Sequence, residues 1–156
     1  MNKYLLDTNI LGYIEMRDAP NHKNIEKRLA GLNDEDEIYV SILAIYEMYY
    51  GASRCTPENR SKMLSMIESI KKRFIILPLQ EEGAEVYGRL KTIYEEKIGI
   101  SKKEITKHNI DFILAASAIT AKAILVSNDA LFENIQRIYP KLKLENWVKV
   151  IGSFAK

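Results

Sequence analysis

The chain has 156 residues, 47% of them hydrophobic and 28% charged, a composition that suits one globular domain spanning 1–156 and excludes a disordered chain or two full-sized domains. A formal net charge of +2 gives no global attraction to nucleic acid, so any basic footprint must be local, at Lys71, Lys72 and Arg73 or at Lys102, Lys103 and Lys107. The lone Cys55 excludes a disulfide framework, Asp7 interrupts the first apolar run too early for a signal peptide, and no uncharged stretch reaches the roughly 18 apolar residues of a membrane span, so a cytoplasmic protein is expected.

Short β-like runs alternate with longer helical ones. Lys3–Leu6 reads as a strand, followed by a helix carrying Ile10, Leu11 and Ile14. A second helix, about 21–32, places Ile25, Leu29 and Leu32 at helical spacing. Ile38–Val40 is a short strand, and Ser41 is placed to cap a helix running to about Ser53. Thr56 and Pro57 read as N-cap and first residue of the next helix, with Met63, Met66, Ile67 and Ile70 on one face. Phe74–Leu77 is a third strand. Glu81–Ile98 is amphipathic through Val86, Tyr87, Leu90, Ile93, Tyr94 and Ile98, and ends at Gly99. A Lys-rich loop follows, then a helix Ile110–Ala121 capped by Asn109, a strand Ile124–Ser127, a helix Ala130–Tyr139 and a final edge strand within Lys141–Ile151. Strands separated by helices predict an α/β fold, a parallel sheet covered on both faces, with the stretch 56–98 as a helical arm against it.

Four carboxylates each stand alone in an uncharged run. Asp7 is the only charge between Tyr4 and Ile14, Glu47 between Ile38 and Ser53, Asp111 between Asn109 and Ala121, and Asp129 between Ala123 and Phe132. A carboxylate carried into an apolar interior is costly unless paired, hydrogen-bonded or bound to metal, and four without local counter-ions suggest a shared cation. In a parallel sheet, ligands bind beyond the carboxyl ends of the strands. Asp7 follows the first strand directly, Asp129 follows the fourth by two residues, and Asp111 opens a helix that runs back toward the same edge. Glu47 lies about 9 Å down its helix, but helical side chains point back toward the N-terminus, so a Glu can return to the edge. Each Asp also has a local alternative, as a helix cap or as a charge at a helix N-terminus. Glu47 has none, since a mid-helix acid among Ile, Leu, Tyr and Met does not read as simple solvent exposure.

An all-oxygen acidic cluster suits Mg²⁺ or Mn²⁺, whereas His22, His108 and Cys55 form no zinc set. His108 reads as a loop residue, Glu133 as a surface residue, and Tyr46, Tyr49 and Tyr50 mostly as core, with a dimer seam as the alternative. Thr8, Asn9, Ser127 and Asn128 supply short polar groups that can orient the acids or nearby waters.

Leu5-Leu6-Asp7-Thr8-Asn9, the helix 41–51 with Glu47, the stretch NIDFILAASA over 109–118, and Ser127-Asn128-Asp129 followed by Phe132 together resemble a PIN domain of the VapC toxin ribonuclease type. The resemblance runs in order from Lys3 to about Ile135. It implies a three-layer αβα fold around a parallel sheet of about five strands. It also implies Mg²⁺- or Mn²⁺-dependent RNA cleavage with Asp7, Glu47, Asp111 and Asp129 as the acidic quartet, frequent homodimers, and an antitoxin partner whose C-terminal segment blocks the cleft. The stretch between Glu47 and Asp111 is longer than in compact members. Two other functions compete: a catalytically silent module that binds RNA or protein, which would bind no divalent metal, and a phosphoaspartate enzyme, which would form a trappable adduct on Asp7. The second lacks the further Asp or the Lys that its own motifs require.

Overall fold

The computed structural model describes residues 1–149. In chain order the elements are β1 (Lys3–Leu6), α1 (Thr8–Glu15), α2 (His22–Ala30), β2 (Glu37–Ser41), α3 (Ile42–Ser53), α4 (Pro57–Arg73), β3 (Ile75–Leu77), α5 (Glu81–Ile98), α6 (Lys102–Thr106), α7 (Asn109–Thr120), β4 (Ile124–Val126), α8 (Ala130–Ile138) and β5 (Lys143–Glu145). The strands form one sheet in the order β3-β2-β1-β4-β5, every pair parallel.

β1 is the central strand, and its sequence explains why. Tyr4, Leu5 and Leu6 are all buried, as a strand covered on both faces requires. Alternation sends Tyr4 and Leu6 into one core with α1, α2, α3 and α4, and Leu5 into the other with α5, α6, α7 and α8. The three-layer αβα arrangement follows. Leu6 is in register with Val40 on one side and Val126 on the other, which brings the ends of β1, β2 and β4 level. The chain moves outward from β1 to β3, then crosses back to β4 on the far side of β1. That reversal opens a crevice at the carboxyl edge beside β1.

The stretch 56–98, expected as a helical arm, supplies α4 to one layer, β3 to the sheet edge and α5 to the other layer, where α5 packs along α7. Ile67 and Ile70 of α4 are fully buried. Several local expectations are corrected. The Lys-rich loop contains a helix, α6, because Ser101 Oγ accepts from the Glu104 amide and caps it. Asn109 is the first residue of α7 and not its cap. Its Oδ1 instead accepts from Lys91 Nζ at 2.7 Å and Tyr87 OH at 3.2 Å, tying α5 to the start of α7. Thr56 makes no side-chain cap bond, although Pro57 does open α4. Phe74 ends α4, and β3 begins one residue later. The last strand is shorter than expected, and Val150 and Ile151 lie outside the described residues. Gly99 closes α5 with φ of 70°, a conformation that favours glycine.

Among the described residues no helix is long and apolar enough to cross a membrane.

Candidate active site

Four separated segments meet at the carboxyl edge. Asp7 follows β1, Ser41 ends β2 and caps α3, Asp129 follows β4 after two intervening residues, and the N-terminus of α7 arrives from the opposite direction. Together they line a cleft of about 310 Å³ whose walls include Asp7, Thr8, Asn9, Glu47, Asp111 and Asp129.

Asp7 is the anchor. It is 7% exposed, and its Oδ1 accepts from the Thr8 amide at 2.7 Å, so it caps α1. Its Oδ2 accepts from Ser127 Oγ at 2.7 Å across the sheet from β4. Ser127 is itself buried, and its Oγ also accepts from the Asp129 amide at 3.0 Å. One hydroxyl therefore couples the loop after β4 to the acid after β1. Asp129 caps α8 through a bond from the Leu131 amide to its Oδ1 at 2.9 Å. Asp111 lies in the first turn of α7, where the helix dipole favours an anion, and His108 Nδ1 stands 3.3 Å from its Oδ2. Glu47 Oε2 accepts from Thr8 Oγ1 at 3.2 Å, joining α3 to α1.

Capping and site membership thus coincide: Asp7 and Asp129 do both. The N-termini of α1 and α8 need an acceptor for a free amide, and a carboxylate that supplies it has lone pairs left for the cleft it lines.

Within the cleft, electrostatics single out Asp7 and Asp111. Burial pushes the Asp7 carboxyl above the usual carboxylate range. The hydrogen bonds from Ser127 and Thr8 oppose that rise, and the charges of Asp111 and Asp129 add to it. Burial likewise raises Asp111, the His108 hydrogen bond opposes, and Asp129 adds. Ser127→Ala removes a donor from a buried carboxylate. It is expected to raise the Asp7 carboxyl further and to cost about 1–3 kcal/mol of stability. An NMR titration of the Asp7 side-chain carbon reads the first effect, and an unmoved titration would show that the bond is electrostatically idle.

Two expectations change. The argument from burial applies to Asp7 and, in part, to Asp111, whereas Glu47 and Asp129 are exposed. α3 turns its Tyr46, Glu47 and Tyr50 outward, with Tyr46 70% and Tyr50 65% exposed, so these tyrosines and the half-exposed Tyr49 are not core. The acids also converge on one cleft without closing on one point: among the described residues no three His, Cys, Asp or Glu side chains are grouped to hold an ion as they stand. Each is engaged by a neighbour, and like charges in one cleft hold apart. Asn9 lines the cleft as expected, while Asn128 is exposed with no hydrogen bond to the acids among those described. His108 reads from sequence as a loop residue, and Lys107 only as one of several clustered basic residues that could hold RNA phosphates. Lys107 lines the cleft and His108 meets Asp111, and position just before the NID triplet was the available signal.

The ligating groups in the cleft wall are oxygens: four carboxylates with the hydroxyl of Thr8. The nearby His108 imidazole is taken up by Asp111, and Lys107, a cation, is no metal ligand. Such a set fits a hard divalent cation and not zinc.

A parallel αβα sheet with an acid-lined crevice at its point of reversal defines a class of fold and site. Residues 4–138 match the PIN domain family. The chain is 31% identical over 148 residues to Ribonuclease VapC2 of Haemophilus influenzae, covering 95% of this chain and 100% of that relative. It is 32% identical over 106 residues to Ribonuclease VapC of Rickettsia bellii, covering 66% and 74%. Among solved structures it resembles VapBC2 from Rickettsia felis bound to a DNA fragment from their promoter, with a TM-score of 0.72, 29% identity and coverage of 93% and 98%. It also resembles VapBC-1 from nontypeable Haemophilus influenzae, with a TM-score of 0.73, 26% identity and coverage of 94% and 99%. The chain belongs to the PIN-domain family, in its VapC branch.

Proposed function

We propose that the protein is a metal-dependent endoribonuclease that hydrolyses RNA phosphodiester bonds, acting as the toxin of a VapBC-type pair. The observation that carries this reading is the meeting of Asp7, Glu47, Asp111 and Asp129, drawn from four separate segments, along one cleft of a PIN fold. Relatives named as VapC ribonucleases support the substrate class, and VapBC complexes among the structural neighbours support an antitoxin partner; we place both in the cytoplasm. We infer a homodimer as its own assembly, for which the exposed tyrosines of α3 offer an apolar face.

Asp7, Asp111 and Asp129 would hold Mg²⁺ or Mn²⁺ directly, with Glu47 as a ligand or as base toward the attacking water. Bound there, the cation would supply charge that makes water a nucleophile near neutral pH and offsets charge on the phosphate. Ser127 aims Asp7 and favours its ionised form against the effect of burial by donating to its Oδ2. Thr8 holds Glu47 in place by donating its hydroxyl to Oε2. Glu47, exposed on α3, keeps the rotamer freedom to turn further into the cleft. His108 orients Asp111.

Incubating the protein with a mixed RNA pool and Mn²⁺ is expected to generate new RNA ends, with cleavage lost on adding chelator and restored by excess Mn²⁺ or Mg²⁺. Sequencing the ends would report the preferred site. Cleavage that persists in chelator would refute metal dependence, and no cleavage together with no calorimetric metal binding would favour the silent binding module.

A further inference from the structure

An acidic cleft that must receive a polyanion needs a cation of its own, and the sequence offers two basic runs for it. The structure separates them. Lys71, Lys72 and Arg73 end α4, which packs in the layer opposite α7; Lys71 is paired with Glu68 at 2.8 Å and Arg73 with Glu26 at 3.0 Å. Their groove is formed by α4 itself and includes none of the four acids. In the other run, Lys102 and Lys103 are exposed at the start of α6, and neither lines the acidic cleft. Lys107 does. Among the described residues it is the one Lys or Arg in the wall of that cleft, set one residue before His108 and four before Asp111.

We infer that Lys107 is the residue that anchors an RNA phosphate at this site, a role that rests on the ribonuclease reading above. Its ammonium now lies 2.7 Å from Glu104 Oε1, one turn back on α6, with more than half of its side chain exposed. An exposed pair at this spacing is weak. An RNA backbone entering the cleft releases condensed counterions when Lys107 neutralises one of its phosphates, and the flexible four-carbon stem lets the ammonium leave Glu104 for it. Glu104 therefore acts as a resting partner that competes with substrate. The α6 cap at Ser101 and the Asn109 link from α5 hold the base of that stem in place.

The test measures binding and cleavage separately. A fluorescein-labelled oligouridylate is titrated with the full chain in chelator, where cleavage does not intervene, across a range of salt. Lys107→Ala is expected to weaken binding roughly tenfold at low salt and to reduce the slope of log affinity against log salt by about one. In Mn²⁺ the same variant should raise KM with a smaller change in kcat. Lys107→Arg should restore most of the affinity, and Glu104→Gln should tighten binding by freeing the lysine. Lys141→Ala, an exposed charge away from the cleft, is the control for net charge. If Lys107→Ala and Lys141→Ala alter affinity and salt slope equally, Lys107 has no special contact and the inference is wrong. If the wild-type protein fails to cleave RNA in Mn²⁺, the ribonuclease reading itself falls, a separate outcome.

Discussion

Asp7→Asn is expected to lower Mn²⁺-dependent RNA cleavage by on the order of 10³-fold or more, while the protein folds and melts no lower than wild type. The two halves of this result have one cause. Asp7 is nearly fully buried at the end of the central strand, and its carboxyl is raised by burial and by the charges of Asp111 and Asp129. A carboxyl with a raised folded-state pKa holds a proton that the unfolded chain has already released. Stability therefore falls as pH climbs from the ordinary carboxylate value, about 3.9, to the raised one. Asparagine keeps the shape and an acceptor for the Thr8 amide, and its amide can donate to Ser127 Oγ. It carries no charge to desolvate. In metal-free buffer the variant's melting temperature should draw ahead of wild type as pH rises through that window and converge with it in acid. Single-turnover cleavage and a set of thermal melts from acid to neutral pH would check both. A variant that cuts at the wild-type rate removes Asp7 from the chemistry. A variant that loses activity and also unfolds at lower temperature at neutral pH shows that the charge was stabilising.

Phe112→Ala should be the most damaging single truncation near the site, costing about 3–5 kcal/mol and lowering the melting temperature by about 10 °C. Phe112 is fully buried and meets Tyr94 edge-on, with ring centroids 5.2 Å apart at 79°. That contact joins α7 to α5. It also fixes the first turn of α7, so the residue before it, Asp111, is delivered to the cleft by core packing. Urea unfolding would measure the loss. Phe112→Leu should keep most of the stability and lose activity mainly through Asp111 placement. If Phe112→Ala unfolds within 1 kcal/mol of wild type, roughly the scale of a peripheral substitution, α7 is not anchored where we place it.

How much of this was legible before the structure depends on the range of the forces concerned. Asp7, Ser41 and Asp129 read as caps from their neighbours alone, because a cap is a bond to an amide one or two residues on. The buried run Tyr4–Leu6 and the helical face of α5 were equally local. Asn109 misled for the same reason: it has capping chemistry, but Lys91 and Tyr87, far off in sequence, took its acceptor. Glu47 was correctly placed at the cleft by helix geometry, yet the reason given, a charge among apolar residues, does not hold, since α3 turns that charge and its tyrosines outward. Apolar neighbours in sequence are not apolar neighbours in space.

The alternation of strand and helix, the caps, the resemblance to a PIN domain and the four acids were all in the linear order of residues, because each rests on periodicity or on short-range bonding. The strand order, with β1 between β2 and β4, came only from packing two apolar faces at once, as did the Ser127 bridge to Asp7. So did the choice of Lys107 over five other clustered cations. Charge runs look alike along a chain; only a closed fold decides which ammonium faces the acids, since that depends on where α6 is docked by contacts remote from it.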